Sequence, residues 1–542
     1  MNAPLLASLL LTIGLAACGA GSEPVDLLIR GGTVIDGTGA PGQIADVGVR
    51  DGKVVMVGSG RGVRAAETID ATGLVVAPGF IDVHNHSDRG IGEPEHRLNE
   101  GFIRQGVTLI VGGPDGGWAP AEIAKLKAAY EANGVGTNYA FYVGHNGIRR
   151  AAMGESQQRP PTAQELDAMR AMVREGMEMG AIGLSTGLMY EPGMFSTTDE
   201  VVELAREVKP FGGIFDSHVR DPVKRLIESD AEVIEIGERA GVPANIAHEK
   251  SVALENEGKI REVIAMVNAA RARGVTVTSD QYPYDGAATS SVQAIVVLPK
   301  DLRGRDNFDL KAALRNPAMR ARLKQTSENG VDGGFAWIKA TGYSSMRITS
   351  SRDYPDLIGK YLSELAKERG LSGFDLVSDL ILRAEHPVGI TLGAIKEHEV
   401  RELMTQPWNM IASDGAVIAP GSTRGHPRST GTFPRVLGHY VREEGVLSLE
   451  DAIMKMTSLP AVYAGFTDRG RLAPEMVADI AIFDPKTIID RSTWDEPGLY
   501  SEGVVHVLVN GVFVLKDGKM TGEAPGVFVP RSKPATTQTA NR

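Results

Sequence analysis

The feature that most constrains the fold of this chain is a long alternation of short apolar runs with helical stretches. Between Phe80 and about Gly465, runs such as TLIVGG, YAFYVG, AIGLST and PANIAH alternate with stretches such as PTAQELDAMRAMVREGMEMG. Strand and helix that alternate many times indicate parallel βαβ units, and eight such units close into a barrel. We therefore predict an α/β fold built on an eight-stranded parallel β/α (TIM-like) barrel over residues 79–462, with residues 292–350 as an inserted subdomain that interrupts the alternation.

Both ends of the chain have the pattern of short β-strands. VDLLIRGGTVIDG and ADVGVRDGKVVMVGS lie near the N-terminus, and ADIAIFDP, VVHVLVNG and VFVLKDGK lie near the C-terminus. Short β-rich runs separated by Gly and Asp are typical of hairpins. We predict one discontinuous β-sandwich domain formed by residues 25–78 and 463–530, followed by a polar, disordered tail over residues 531–542.

The N-terminal segment has the features of an export signal. Residues 5–17, LLASLLLTIGLAA, are too few to span a bilayer and stand where a secretory h-region stands. The run ends in LAAC, which resembles the lipobox of bacterial lipoproteins, where cleavage leaves an acylated N-terminal cysteine. We interpret residues 1–17 as a signal peptide, residues 18–24 as a linker and Cys18 as the lipidation site of an exported protein of the cell envelope or periplasm. Plain secretion and a cytosolic protein with an apolar leader are the alternatives.

Charge and cysteine content exclude two classes of function. The formal net charge is −11, whereas a protein that binds nucleic acid usually presents a basic face. Cys18 is the single cysteine of the chain, which excludes an internal disulfide and every zinc site built from several thiolates.

Histidines at the ends of predicted strands carry the strongest functional signal. His84 and His86 in PGFIDVHNH point to the same face of a strand, so both can reach one metal ion. His218 in FDSHVRD and His248 in NIAHEK each follow an apolar run, which predicts a position at the C-terminal rim of a barrel. Asp414 in MIASDG ends another apolar run, and such a carboxylate can bind a metal or move a proton between bound water and a leaving nitrogen.

These motifs identify a family by resemblance. The PGFIDVHNH strand resembles the amidohydrolase superfamily, and the strings GLSTGLMYEPG, SHVRD, AHEKS, DQYPYD, ASDG, GHPRSTGTFPRVLGHYVRE and MTSLPA resemble its N-acyl-D-amino-acid deacylase (D-aminoacylase) branch. The resemblance implies a barrel flanked by a small β-sandwich from both chain ends, and amide hydrolysis that depends on one or two zinc ions. It further implies Asp414 as catalytic acid/base and a metal-ligand set of His84, His86, His218, His248 and Asp414.

The second predicted strand departs from the pattern of the branch. Many relatives read GNCG at its end and bind zinc through the cysteine, whereas QGVTLIVGGPDGG places Asp115 there. A carboxylate oxygen is an acceptable zinc ligand, although a harder one than sulfur. Asp115 is therefore either a metal ligand or a turn residue in a Gly-rich loop. AIGLSTGLMY contains no lysine, so the carbamate-bridged centre of hydantoinases and dihydroorotases is not expected.

The free carboxylate of an N-acyl amino acid requires a cation in the binding site. Arg428 in GHPRS can offer it two parallel hydrogen bonds. The resemblance places Lys250, Tyr190, Tyr282 and Ser290 around the same carboxylate.

The sequence thus predicts a metal-dependent amidohydrolase that cleaves the amide bond of N-acyl-D-amino acids into a carboxylate and a free D-amino acid. The preference for the D hand rests on the resemblance. One alternative is a dipeptidase that cleaves dipeptides with a C-terminal D-residue, and a second is a non-catalytic binding lipoprotein of the envelope. The expected partners are a small N-acyl amino acid or dipeptide and, through the lipid anchor only, a membrane; nucleic acid is not expected.

Overall fold

The computed structural model describes residues 24–302, 308–331, 336–393, 395–422 and 424–532. The predicted signal peptide, Cys18 and most of the predicted C-terminal tail lie outside the described residues. Among the residues that are described, no helix is both long enough and apolar enough to cross a membrane.

The strands of the described chain are short, and most coincide with runs of β-branched or apolar residues. In chain order they are β1 (Val25–Val34), β2 (Gln43–Arg50), β3 (Lys53–Gly58), β4 (Ala65–Asp70), β5 (Val75–Pro78), β6 (Phe80–Asp82), β7 (Val107–Gly112), β8 (Asn138–Phe141), β9 (Val143–Gly144), β10 (Gly183–Gly187), β11 (Ile214–His218), β12 (Ala244–Ile246), β13 (Val277–Gln281), β14 (Gly286–Ser291), β15 (Ile348–Ser350), β16 (Gly389–Gly393), β17 (Asn409–Ile411), β18 (Ile480–Phe483), β19 (Val504–Val509), β20 (Val512–Lys516) and β21 (Lys519–Met520).

Helices follow many of these strands, as the alternating sequence pattern predicts. They are α1 (Glu100–Ile103), α2 (Pro120–Asn133), α3 (His145–Met153), α4 (Ala163–Glu178), α5 (Thr198–Arg206), α6 (Leu226–Ala240), α7 (Ile260–Ala272), α8 (Leu310–Arg315), α9 (Pro317–Asn329), α10 (Trp337–Thr341), α11 (Leu362–Glu368), α12 (Gly373–Arg383), α13 (Glu397–Met404), α14 (Arg428–Arg435), α15 (Leu449–Met456) and α16 (Ser458–Ala464). The predicted α/β class agrees with this mixed content.

Two parallel sheets occupy the middle of the chain. One has the strand order β17-β13-β12-β11-β10-β9, and the other has the order β6-β7-β8. Every residue of β7, β10 and β11 is buried. Strands buried on both faces are typical of parallel sheets that are covered by helices.

Backbone hydrogen bonds join the chain that follows β6 to the chain that follows β17. The amide of Asp414 donates to the carbonyl of His84 (2.9 Å), and the amide of His86 donates to the carbonyl of Gly415 (2.7 Å). Asn85 and Gly415 form a parallel bridge at the same place. This pairing brings the histidine motif next to Asp414.

A similar backbone hydrogen bond connects the opposite edges of the two parallel sheets. The amide of Ile182 donates to the carbonyl of Phe141 (2.9 Å), which joins the chain before β10 to β8. β9 follows β8 after one residue and pairs in parallel with β10. The parallel strands therefore continue from one sheet to the other on this side as well.

A mixed sheet combines both ends of the chain. Its strand order is β21-β20-β19-β18-β5-β1-β2-β3, and β4 pairs with β1. β18 runs antiparallel to β5, with Ile480 opposite Pro78. Leu27, Val47 and Leu508 lie in the apolar cluster that packs on this sheet.

The segment that breaks the alternating pattern has an apolar core of its own. This core runs from Val292 to Leu392 and includes Ile348, Leu362 and Phe374. A three-stranded antiparallel sheet of order β14-β16-β15 and helices α8 to α12 surround it. The described part of the predicted insertion, residues 292–350, therefore contributes to this second core, which continues to Leu392.

A buried ion pair stands where the mixed sheet meets β8. Nη1 of Arg469 lies 2.6 Å from Oδ2 of Asp479, and both side chains are almost fully buried. Asp479 also accepts hydrogen bonds from Asn138 Nδ2 on β8 (3.1 Å) and from the amide of Asn510 (2.7 Å). One carboxylate thus connects three separate parts of the chain.

We expect Asp479→Ala to lower the free energy of unfolding by about 3 kcal/mol or more, because it removes the buried partner of Arg469. Asp468→Ala is the matched control: Asp468 contacts the same guanidinium (3.1 Å) but is about half exposed, so a loss below about 1 kcal/mol is expected. Urea denaturation measures both values. Equal losses in the two variants would contradict the importance of the buried pair.

Candidate metal centre

Five strands end in side chains that share one place in the molecule. The carboxyl ends of neighbouring parallel strands lie at the same edge of a sheet, so residues that follow these strands meet there. The residues are His84 and His86 after β6, Asp115 after β7, His218 at the end of β11, His248 after β12 and Asp414 after β17.

His84, His86 and Asp414 form the first group of possible metal ligands. Oδ1 of Asp414 lies 3.2 Å from Nε2 of His86 and 3.7 Å from Nε2 of His84. One ligand atom from each of the three residues lies within 4.8 Å of the others. The structure therefore brings the two predicted strand histidines together with the predicted catalytic carboxylate.

Asp115, His218 and His248 form the second group. Oδ1 of Asp115 lies 3.5 Å from Nδ1 of His218 and 3.4 Å from Nε2 of His248. Oδ2 of Asp115 lies 3.6 Å from Nε2 of His86, which belongs to the first group. Oδ1 of Asp115 also lies 3.6 Å from Nε2 of His84, so the carboxylate of Asp115 lies between the two groups.

The polar atoms of the two groups fit a metal ion. Among the described residues, both ring nitrogens of His84, Oδ1 of Asp115 and Nε2 of His218 are buried without a hydrogen-bond partner. Buried polar atoms without partners are costly and rare in native proteins. Imidazole nitrogens and carboxylate oxygens are ligands that zinc accepts, so a bound zinc ion would satisfy Nε2 of His84 and Oδ1 of Asp115, which lie 3.6 Å apart.

Three of these residues have an unusual backbone. The φ angles are 56° at Asp115, 37° at His248 and 49° at Asp414, in the left-handed region. Such a conformation costs on the order of 1–3 kcal/mol at a residue with a side chain, and it is concentrated at functional sites. The turns that follow the strands thus hold these side chains towards one another at the expense of local stability.

Burial and neighbouring charges set the protonation states of His84 and Asp414. Burial lowers the pKa of His84 well below its usual range, so this imidazole is neutral, as metal binding requires. Burial acts to raise the pKa of Asp414, but Arg428 and His248 outweigh it and hold this pKa well below its usual range. Asp414 is therefore ionised.

Four of the five predicted substrate-binding residues lie beside the metal ligands. Nη1 of Arg428 is 2.8 Å from Oδ2 of Asp414, and its guanidinium lies over the ring of Tyr282 at 4.6 Å. Nζ of Lys250 is 5.5 Å from the centre of the same ring. The ring centre of Tyr190 is 4.5 Å from that of His218, and 44% of Tyr190 is exposed.

Ser290 is not part of these contacts. It lies on β14, where it pairs with Ile390 of β16. Tyr282 is connected to the start of the same strand, because its hydroxyl donates to the carbonyl of Ala287 (3.0 Å).

Two buried carboxylates beside the histidines were not singled out by the sequence analysis. Asp280 Oδ1 accepts a hydrogen bond from the amide of His248 (3.0 Å), and Asp216 stands on β11 two residues before His218. The signal in the sequence was the spacing, because residues i and i+2 of a strand share a face. Burial and the neighbouring Asp280 raise the pKa of Asp216 well above its usual range.

Comparisons with known proteins bear on this site. A family model described as the amidohydrolase family matches residues 67–209 and 347–515. D-aminoacylase of Alcaligenes xylosoxydans xylosoxydans is 34% identical over 533 residues, which are 94% of this chain and 99% of the relative.

Two solved structures extend the similarity to the fold. N-acyl-D-glutamate deacylase from Bordetella bronchiseptica, complexed with zinc and a phosphonate that mimics the tetrahedral intermediate, is 34% identical with a TM-score of 0.76. A D-aminoacylase described as having a binuclear metal centre is 33% identical with a TM-score of 0.76. In both comparisons 94% of this chain and 100% of the other chain are covered.

Proposed function

Because this chain belongs to the D-aminoacylase branch of the amidohydrolase family, we propose that it hydrolyses the amide bond of N-acyl-D-amino acids to a carboxylate and a free D-amino acid. The observation that carries this proposal is the meeting of four strand-end histidines with Asp115 and Asp414 in a zinc-compatible group. A protein that only binds a ligand has no need of such a group, which argues against the non-catalytic alternative.

The metal is zinc, and the ligand atoms divide into two sets. His84, His86 and Asp414 would hold one ion. Asp115, His248 and His218 would hold another, and Nε2 of His84 lies 3.6 Å from the same oxygen of Asp115. When bound, zinc supplies Lewis-acid chemistry: it polarises the acyl carbonyl and lowers the pKa of a bound water towards about 7.

Asp414 is the proposed acid/base. Its Oδ1 faces the histidines, and its Oδ2 is paired with Arg428. Its low pKa keeps it ionised, so it can accept the proton of the attacking water and then donate this proton to the leaving amide nitrogen.

Arg428 and Lys250 are the proposed anchors of the substrate carboxylate. Both cations lie beside the ring of Tyr282, and Tyr190 lies on the side of His218. A guanidinium can bind a carboxylate through two parallel hydrogen bonds, which fixes the orientation of the amino acid. When the carboxylate of the amino acid is fixed in this way, only one of the two enantiomers directs its amide towards the zinc ligands. Ser290 makes none of these contacts, so it is the weaker candidate among the proposed substrate residues.

We also propose a domain organisation. The hydrogen bonds from β17 to the chain after β6, and from β8 to β10, support closure of the parallel strands into an eight-stranded barrel over residues 79–462. The mixed sheet supports a small β-sandwich domain formed by residues 25–78 and 463–530. The second apolar core supports an inserted subdomain that begins near residue 292.

Export and lipid attachment are a separate proposal that rests on the N-terminal sequence. LAAC resembles a lipobox, so residues 1–17 would be removed and Cys18 acylated, which anchors the enzyme in the cell envelope or periplasm.

We expect the zinc-loaded enzyme to release free amino acid from N-acetyl-D-amino acids and to cleave the L-enantiomers at least about 100-fold more slowly. A misplacement of about 1 Å at the reacting carbonyl costs a factor of this size. The measurement is a panel of N-acetyl-D-, N-acetyl-L- and L,D-dipeptide substrates with side chains of different charge. Faster cleavage of the dipeptides would favour the dipeptidase, and no hydrolysis of any amide by zinc-bound protein would refute the proposed function.

We expect Asp414→Asn to lower kcat by about 10²–10⁴-fold, because the amide cannot accept the proton of the attacking water. Zinc should be retained by the histidines, as metal analysis of the purified variant would report. Asp356→Asn, which changes an exposed carboxylate in the same way, should keep the wild-type kcat. Near-normal turnover in Asp414→Asn would remove the assigned acid/base role.

We expect the full-length chain to incorporate labelled palmitate in a Gram-negative host and to fractionate with membranes. Cys18→Ser should remain unlabelled and be recovered in a soluble fraction, because acylation requires the thiol. Equal fractionation of the two forms, without label in either, would contradict the proposed anchor.

A further inference from the structure

A layer of buried polar side chains lies next to the predicted zinc ligands. It consists of Asp216 on β11, Asn245 on β12 and Asp280 on β13, and we call it the carboxylate layer. Nδ2 of Asn245 donates to Oδ1 of Asp216 (2.8 Å) and to Oδ2 of Asp280 (2.6 Å). All three side chains are essentially without solvent exposure. Two carboxylates are therefore held in a fixed geometry inside the protein.

The carboxylate layer faces two of the predicted zinc ligands. Oδ1 of Asp280 accepts the amide hydrogen of His248 (3.0 Å) and lies 3.9 Å from Nδ1 of His84. Ligand atoms of His84, Asp216 and Asp280 lie within 4.8 Å of one another. In the described part of the chain, Nδ1 of His84 and Oδ2 of Asp216 have no hydrogen-bond partner. His84 and Asp216, which each carry a buried polar atom without a partner, are thus neighbours.

We propose that Asp216 and Asp280 are positioning residues of the zinc centre, whose carboxylates accept the Nδ1 hydrogen of His84. A histidine that binds a metal through one ring nitrogen nearly always donates from the other nitrogen to a carboxylate, carbonyl or water. With the hydrogen held at Nδ1, Nε2 of His84 carries the free lone pair, and Nε2 is the nitrogen that faces Asp115 and Asp414. The proposal rests on the proposed function, because it takes His84 as a zinc ligand.

The carboxylate layer also holds the turn of His248 and contacts helix α16. The hydrogen bond from the amide of His248 to Asp280 holds the left-handed turn of His248. Oη of Tyr463 on α16 lies 3.2 Å from Oδ1 of Asp216 and 2.8 Å from Oη of Tyr142. Tyr142 in turn donates to the carbonyl of the residue before His84 (3.1 Å). The position of Asp216 is therefore tied both to α16 and to the strand of His84.

The test is the zinc affinity of metal-free protein, measured by competition with a chelator. In Asp216→Asn the donor group of Asn245 holds the amide oxygen on its own side, so the new NH₂ group replaces Oδ2, the acceptor proposed for Nδ1 of His84. This arrangement favours the opposite tautomer, in which Nε2 carries the hydrogen. We expect zinc affinity to fall by about 10–100-fold, the usual effect of removing such a partner. Zinc stoichiometry at saturation should be unchanged.

Ser279→Ala is the matched control. Ser279 is also buried on β13, next to Asp280, and its hydroxyl donates to Oδ1 of Asn409 (2.6 Å) rather than to the layer. This variant loses one buried hydrogen bond and should bind zinc as the wild type does. An equal loss of affinity in both variants would mean a general structural effect and would overturn the proposal. The loss of one zinc ion at saturation in Asp216→Asn, with unchanged affinity for the rest, would make Asp216 a ligand and also overturn it.

A second variant decides the question if Asp216→Asn does not fold. Tyr463→Phe removes the hydroxyl beside Asp216 and leaves every zinc ligand in place. We expect a folded protein, by circular dichroism, with zinc affinity weakened several-fold; wild-type affinity would overturn the proposal. These readouts do not use hydrolysis. An inactive wild type whose zinc affinity responds as expected would count against the proposed function alone.

Discussion

The site depends first on the backbone pairing between the chain that follows β6 and the chain that follows β17. Two hydrogen bonds, from the amide of Asp414 to His84 and from the amide of His86 to Gly415, hold the ends of these distant segments in register. A shift of one residue would turn the side chains of one segment to the opposite face, whereas those of the other segment would stay in place. Both strand histidines and the carboxylate would then face away from one another, so the metal-ligand group exists only in this register.

Around that pairing, buried polar side chains from different segments contact one another. Arg428 lies against Asp414, Asp115 lies between the two sets of histidines, and Asn245 separates Asp216 from Asp280. The left-handed turns at Asp115, His248 and Asp414 add a local cost that the surrounding buried strands must offset. These turns thus lower the local stability of the protein and hold the three side chains in a fixed geometry at the ends of the strands.

Much of the site could be predicted because its signals are local. The histidines and Asp414 stand directly after apolar runs. Such a motif consists of consecutive residues, so it can be recognised without knowing which strand lies beside it. The family was predicted from such motifs and the α/β class from the alternation of apolar runs and helical stretches, and the comparisons confirm the family. Asp216 and Asp280 were not found, because their role depends on Asn245, which stands on the strand between them. Ser290 was placed with the substrate residues by the resemblance, and in the structure it pairs with Ile390 of β16.

The sequence by itself determined the family, the strand-end histidines and the choice of a carboxylate at Asp115, because each is written in a few consecutive residues. The tertiary structure decided what those residues do to one another. That Asp115 lies between both histidine groups, that Arg428 lies on Asp414, and that a buried carboxylate layer lies beside His84 all follow from contacts between segments far apart in the chain. Such contacts are fixed by strand register and packing, which no local pattern specifies.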